Sequence, residues 1–471
     1  MIKKKQILQK LKEDKMEKHI RIKICFIVLL IICIFGFSFS YAQNKETILR
    51  IHGSNTIGSK LAPDLAEEFL VKLGASKTKR VEIIKNTEVN IEGTFTQQNV
   101  VKIIEIKAHG SSTGFKSLQS GQCDIGMASR QIKDLEEKNL SFLGNMKSIA
   151  CEHVLAVDGV AIIVNLSNYS ISKMDIKNVR EIFCCQKTNW KEVDINASDK
   201  IIQVLARDKE SGTHDCFKSI VLAKKCKLCE NSKRFDSNDA LSNIVQQNPN
   251  AIGYCGLPYV KNNKVLAISD HGPPIRPTVF TIATEDYPLT RRLYFYTPAN
   301  PNNIYTHNFI SFALGKEGQK LVKKNKFIPL TISATEYEVE ISQQPQNKQI
   351  FTKYLSSVKG AKRLSTNFRF KTAKFDLDTR AIRDMDRMVE FLNEEDIHNT
   401  KILLAGFADS RGDYWKNYEL SCNRAKTVKD EFRSRGIKVH TIICVSEESP
   451  VATNETKAGQ SKNRRVEVWI K

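Results

Sequence analysis

The segment Ile48-Leu49-Arg50-Ile51 runs into Gly53-Ser54-Asn55-Thr56, after which apolar residues recur at Ile57, Leu61, Leu65, Phe69 and Leu73. The first four residues read as a strand, and the spacing of four as one face of a helix. The small polar residues between them form the turn. The same design recurs twice. Val100 to Ala108 leads to Gly110-Ser111-Ser112-Thr113-Gly114, with Phe115 and Leu118 on a helix face beyond. Ile201 to Ala206 leads to Arg207 and Ser211-Gly212-Thr213, then Phe217, Ile220 and Val221.

A turn of this kind leaves backbone N–H groups unpaired at a helix N-terminus, where the dipole favours negative charge. Serine and threonine hydroxyls add donors, and glycine lets an oxyanion approach the backbone closely. Arg207, four residues before Ser211, adds a charged fork. Any one segment alone is as well read as an ordinary helix cap. Three of them, one preceded by an arginine, point to a shared anion site.

Outward from these corners, strand-like runs alternate with amphipathic helices from about Thr47 to Leu330, the pattern of an α/β region. Thr331 to Thr366 is more polar, contains Gln343-Gln344-Pro345-Gln346-Asn347, and reads as a connection with some local structure. From Asn367 to Lys471 a second, compact α+β pattern follows. Phe368-Arg369-Phe370 reads as a strand, and Ile382, Met385, Val389 and Leu392 mark a helix. Ile402-Leu403-Leu404 is a buried-type strand. A helix with Leu420, Ala425, Val428 and Phe432 stops at Gly436, and strands follow at Val439 to Cys444 and at Val466, Val468 and Ile470.

The 471 residues allow two or three domains, and 41% apolar residues suffice for buried cores. Global disorder, collagen-like repetition and a polytopic membrane protein are excluded by that composition. Lys+Arg 73 against Asp+Glu 52 gives a formal charge of +21. Nine basic residues precede position 24, and an uncharged apolar run extends from Ile24 to Phe37. Ser40-Tyr41-Ala42 then presents small residues where a signal peptidase reads them. Residues 1–42 are therefore expected to be a signal peptide cleaved before Gln43, the alternative being an uncleaved membrane anchor. The remainder stays basic. Outside the cytosol that argues for small anions, cell-wall carboxylates or lipid phosphates rather than nucleic acid.

Residues 47–330 resemble the PstS-like phosphate-binding proteins of ABC transporters, a branch of the type II periplasmic binding proteins. The resemblance is carried by the three corners, by Asp124-Ile125-Gly126-Met127-Ala128-Ser129-Arg130, and by Asp158-Gly159-Val160-Ala161-Ile162-Ile163-Val164-Asn165. Ile182-Phe183 with Asn189-Trp190, Arg207, and Ala251-Ile252-Gly253-Tyr254 complete it, in matching order. It implies two α/β lobes that close over phosphate by hinge motion. It also implies that Thr56, Ile57, Ser111, Arg207, Ser211, Gly212 and Thr213 contact the phosphate. Some relatives place an acidic acceptor after the residue matching Ser129, where this chain has Arg130. Such a carboxylate takes the proton of hydrogen phosphate and rejects sulfate. Asp124 or Asp158 could substitute, or either could be a structural cap.

Residues 367–471 resemble the OmpA-like peptidoglycan-binding domain, a small βαβαβ fold. The matching residues are Gly406-Phe407-Ala408-Asp409, Asn417, Leu420-Ser421, Arg424-Ala425, Pro450-Val451-Ala452 and Asn463-Arg464-Arg465-Val466-Glu467-Val468. Diaminopimelate in the wall peptide offers an ammonium and a carboxylate. The resemblance implies that Asp409 pairs with the first and Arg424 forks onto the second. Asn417 and Arg465 are secondary candidates. The competing reading joins Asp409 and Arg424 in an ion pair.

Ten cysteines follow the leader, eight in the first domain and two in the second. Their pairing is open. Cys226-Lys227-Leu228-Cys229 reads as a local disulfide or two buried thiols, since no second C-x-x-C or His pair completes a zinc site. No metal or cofactor is expected. His109, His153 and His214 lie near serines or cysteines, but no nucleophile-elbow or metalloprotease motif accompanies them, so a hydrolase is the weaker alternative. The expectation is a non-enzymatic phosphate binder in the periplasm of a Gram-negative envelope, attached non-covalently to peptidoglycan, with an ABC permease as a candidate partner. An envelope sensor or scaffold without a transport role is the other reading.

Overall fold

The computed structural model describes residues 5, 12, 15–24, 44–85, 87–209, 211–223, 225–270, 272–339, 344–370, 377–394 and 400–471. The apolar run beyond Ile24 and the expected cleavage before Gln43 lie outside the described residues. No described helix is long and apolar enough to cross a membrane.

The first region contains strands Asn44–Gly53 (β1), Lys77–Ile84 (β2), Glu88–Phe95 (β3), Val100–Lys107 (β4), Ile125–Ala128 (β5), Glu152–Val164 (β6) and Lys173–Asp175 (β7). Gln203–Arg207 (β8), Lys233–Phe235 (β9), Ala251–Gly256 (β10), Lys264–Val265 (β11), Ala267–Ser269 (β12) and Thr290–Tyr296 (β13) follow. Ten of them form one path, β2-β3-β4-β1-β5-β13-β6-β10-β8-β9, with β11 against β6. β1 lies parallel between β4 and β5, which sets the corners after β1 and β4 side by side.

β6 joins two lobes. Its sequence is almost continuously apolar and buried, as a strand covered on both faces must be. Its first half pairs with β13, and its second half pairs with β10. One core gathers Leu49, Ile51, Leu65, Phe69, Ile104, Phe295 and Phe309. Another gathers Val160, Val179, Phe183, Trp190, Phe217 and Tyr254. The helix stripe after the first corner is real but interrupted: Asn55–Gly58 and Leu61–Lys72 are separate helices, and Ile57, Leu61, Leu65 and Phe69 are buried.

The C-terminal sheet contains Ala334–Glu336 (β14), Lys362–Arg369 (β15), Ile402–Gly406 (β16), Thr441–Cys444 (β17) and Arg465–Ile470 (β18), in the order β14-β15-β18-β16-β17. This corrects the reading of 331–366 as a connection. β14 and most of β15 are strands of this sheet, and the helix Lys348–Val358 packs Phe351, Tyr354 and Val358 against Phe407 and Trp469. The cysteine reading is also corrected. Cys226 and Cys229 bond neither each other nor as free thiols; they pair with Cys184 and Cys185 at the end of the helix Ile176–Phe183. Cys422 pairs with Cys444.

The two parts meet in a seam of buried charge. Arg363 reaches Asp286 at 2.8 Å, and Arg380 reaches Glu285 at 2.7 Å. Arg292 bonds Asp378 at 2.8 Å, and Arg369 donates to the Thr284 carbonyl at 2.7 Å. Thr379 donates to Glu152 on β6 at 2.6 Å. Burial alone would raise the pKa of Glu285, yet Arg292, Arg380 and Arg369 hold it well below the usual carboxylate range. The C-terminal domain is thereby docked where β6 and β13 cross between the lobes.

Candidate functional site

The three corners come together. Gly53 has φ +135°, and a Cβ there would lie 2.2 Å from the Met127 carbonyl, so only glycine permits this approach. Ser54 N–H donates to that same carbonyl at 2.9 Å, and Gly110 N–H donates to the Gly53 carbonyl at 2.7 Å. Ser111, the first residue of the helix Ser111–Gln119, accepts through its hydroxyl from the Ser129 N–H at 3.1 Å. The third corner arrives from the other lobe. A Cβ on Gly212 would fall 1.7 Å from Thr56 Oγ1, so Gly212 touches Thr56 across the cleft. Ile57 is fully buried behind Thr56, in the first turn of the helix Asn55–Gly58.

Arg207 ends β8 at 7% exposure. Its Nε donates to the Phe235 carbonyl at 3.2 Å and its Nη2 to the Asp236 carbonyl at 2.9 Å. Its Nη1 has no partner, and no described carboxylate pairs with the guanidinium. Burial accordingly lowers its pKa. Ser211 is the N-cap of the helix Gly212–Phe217 and accepts from the His214 N–H at 3.3 Å; Gly212 and Thr213 occupy the first helical positions. Tyr254 hydroxyl accepts from the Arg207 N–H at 3.1 Å and meets His214 Nδ1 at 2.6 Å. Burial pushes His214 down to about 4, so the ring is neutral near pH 7 and its Nδ1 accepts the tyrosine proton.

Arg291, which the sequence reading did not assign, and Asp158, named there as a substitute acceptor or a structural cap, complete the cleft. Arg291 Nη2 donates to Thr56 Oγ1 at 3.2 Å and, with Nε, to Asp158 Oδ2 at 2.9 and 3.1 Å. They face each other because β13 and β6 are antiparallel with Arg291 opposite Asp158. Only that pairing reveals Arg291, which sits alone in its own strand. Arg130 is turned aside: both Nη atoms bond Glu136, at 2.8 and 2.7 Å, and Nη2 also bonds Ser112. Asp124 is occupied as a cap on the Arg50 N–H and by Asn303. Asp158 is thus the carboxylate beside the cleft. Of the three histidines considered, His109 bonds Glu88 and His153 lies in the seam.

In the C-terminal domain, Asp409 and Arg424 do not bridge each other among the described residues. Asp409, 6% exposed, accepts from Arg411 at 3.0 Å and Arg464 at 2.9 Å. Burial would raise its pKa, but those two arginines hold it below the usual range. Arg424 is fully buried on the helix Tyr414–Ser434, and its Nη1 donates to the Phe407 carbonyl at 3.1 Å. Its Nε and Nη2 are unpartnered, and burial pushes its pKa down to about 10. Asn417 donates to Glu447 at 2.6 Å. Arg465 is tied to Glu467 at 2.9 Å and lies 3.8 Å over the Phe407 ring, the surroundings of a core residue. Arg411 and buried Arg464 were given no ligand role from sequence, because nothing local shows that they converge on Asp409.

Residues 85–317 match the family model described as a PBP superfamily domain, and residues 369–464 match the OmpA family. The chain is 32% identical over 232 residues to the phosphate-binding protein PstS of Staphylococcus saprophyticus, covering 48% of this chain and 71% of that protein. It is 31% identical over 217 residues to the protein of that name from Staphylococcus epidermidis, covering 45% of this chain and 65% of the relative. The match thus spans about two thirds of the length of these relatives. Among solved structures, an ABC-type phosphate transport receptor from Vibrio cholerae aligns with 59% of this chain and 99% of its own, at 23% identity and a TM-score of 0.46.

Proposed function

The chain belongs to the family of PstS phosphate-binding proteins and ends in an OmpA family domain, and from that premise we propose that it captures inorganic phosphate in the cell envelope while bound to peptidoglycan. One observation carries the first half. Arg207 is buried without a carboxylate partner among the described residues, and it leads into the corner whose Gly212 meets Thr56 of the other lobe. A buried guanidinium whose only partners are carbonyls is costly until an anion joins it. Thr56 and Ser111 supply hydroxyls, Ile57, Gly212 and Thr213 supply backbone N–H groups, and Ser211 closes the third corner. This is binding chemistry.

Asp158 supplies selectivity in this reading. Held by Arg291 beside Thr56, it accepts the hydrogen of a protonated phosphate and is left facing a bare oxyanion when sulfate enters. Calorimetry on the full chain with phosphate and with sulfate tests both statements. Phosphate is expected to bind, and Arg207→Gln to remove the heat. Binding of neither anion overturns the reading, and sulfate binding equal to that of phosphate overturns the role of Asp158.

The second half rests on Arg424, whose free Nε and Nη2 are suited to a wall-peptide carboxylate, with Asp409 for the ammonium. Retention on peptidoglycan should fall for Arg424→Ala and Asp409→Ala; unchanged retention of both removes the assignment. Docking of the C-terminal domain across the lobe crossing favours sensing or capture at the wall over a free shuttle to a permease, because the docked domain restrains the hinge. An ABC permease remains the partner that the family implies.

A further inference from the structure

A cavity of about 480 Å³ opens on the seam between the first lobe and the C-terminal domain, well inside the size range of small-molecule pockets. The helix Ile304–Leu314 contributes Thr306, His307 and Ser311, the start of β6 contributes His153, and the helix Thr379–Glu394 contributes Arg383, Asp386 and Arg387. Neither domain forms it alone.

The charge in this cavity is unbalanced. Arg383 Nη2 donates to the Ile149 carbonyl and to His153 Nδ1, both at 2.8 Å. Because Nδ1 accepts, the proton of His153 sits on Nε2, which donates to Thr297 Oγ1 at 3.0 Å. The imidazole is therefore neutral and offers Arg383 no negative charge. Arg383 Nε has no partner, and no ion pair joins this guanidinium to a carboxylate among the described residues. Arg387 is committed to Asp384 at 2.6 Å, and Asp386 to Arg435 at 3.1 Å. Thr306, 1% exposed, keeps an unpartnered hydroxyl. The contrast with the rest of the seam is direct: Arg363, Arg369 and Arg380 all meet carboxylates there.

We propose that this cavity is a second anion site, distinct from the cleft, that takes a small organic anion bearing a carboxylate or phosphate group on Arg383. The volume exceeds what an inorganic oxyanion fills, and the fork of an arginine suits either head group. Because both domains line the site, occupancy favours the docked arrangement.

The test uses the full chain carrying Arg207→Gln, which silences the cleft, so that failure here and failure of the phosphate reading are separate results. Citrate and glycerol 3-phosphate are titrated by calorimetry. Saturable one-to-one binding of either is expected, and the better probe identifies the head group. Adding Arg383→Gln should weaken binding by about tenfold to a hundredfold, the worth of one charged hydrogen bond. Ser311→Trp, which fills the cavity and leaves the charges in place, should abolish it without lowering the melting temperature. No saturable binding of either probe overturns the proposal, as does binding indifferent to both Arg383→Gln and Ser311→Trp.

Discussion

Arginines in the seam and in the two candidate ligand sites are largely withdrawn from water but differently partnered. Arg292, Arg363, Arg369 and Arg380 each meet Glu285, Asp286 or both, with Asp378, Asp384 and Glu467 completing the set. Among the described residues, the guanidinium groups of Arg207 and Arg424 hydrogen-bond only to backbone carbonyls and keep nitrogens without hydrogen-bond partners. Continuum reasoning says that a buried ion pair roughly breaks even while a buried lone charge is costly. The seam therefore specifies how two domains dock, and the lone arginines mark where the fold gives up stability to hold a negative ligand.

The largest effect should come from breaking a matched set. Asp286→Ala leaves Arg363 and Arg369 with an uncompensated share of buried charge, a change expected to cost about 3–5 kcal/mol. Urea unfolding of the full chain measures it. A variant as stable as the parent would erase the distinction between the two classes of arginine.

Next comes the unmatched arginine of the cleft. Arg207→Gln should weaken phosphate binding about a hundredfold, since it removes a fork of charged hydrogen bonds. Its melting temperature in the absence of anion should hold steady or rise, because the lost charge had no partner. A stability loss as large as that of Asp286→Ala would place Arg207 with the seam residues instead. Arg424→Gln should follow the same rule more weakly, with about tenfold less chain retained on peptidoglycan and no loss of stability.

How much of this could be read from sequence depended on whether the information was local. Each corner was legible, because a strand followed by Gly, Ser and Thr and then an apolar stripe is a local pattern. Their meeting was not: it depends on β6 changing partners between β13 and β10, which brings Gly212 to Thr56 and Arg291 to Asp158. Most of β15 was missed for a physical reason. Its Arg363, Ser365, Asn367 and Arg369 alternate on a face that is buried against charge, while Leu364, Thr366 and Phe368 turn to the other side. A strand that buries polar residues against ion pairs shows little apolar alternation, so residues 362–366 read as part of the connection and only its end, from Phe368, read as a strand. The disulfides were illegible because Cys184 and Cys185 lie about 40 residues from their partners, 42 and 44 positions away.

The smallest expected effect concerns a neutral group behind Arg207. His214 accepts the Tyr254 proton, and burial pushes its pKa from 6.5 to about 4. Near neutral pH the ring is uncharged in the folded chain. As pH falls from about 6.5 to about 4, the unfolded chain takes up the proton first, so the contribution of His214 to folding stability declines through that window and levels off below it. Protonation would also reverse the hydrogen bond: a charged ring donates from Nδ1, and Tyr254 would then lose its acceptor while still receiving the Arg207 N–H. His214→Gln keeps an acceptor that does not titrate. Melting curves of parent and variant between pH 7.5 and 4.5 should therefore diverge by a few degrees, with the parent falling faster, whereas parallel curves would show that His214 carries no part of the acid sensitivity. His153, pushed to about 3 by burial and by Arg383, lowers stability across the same range but contributes to both chains alike.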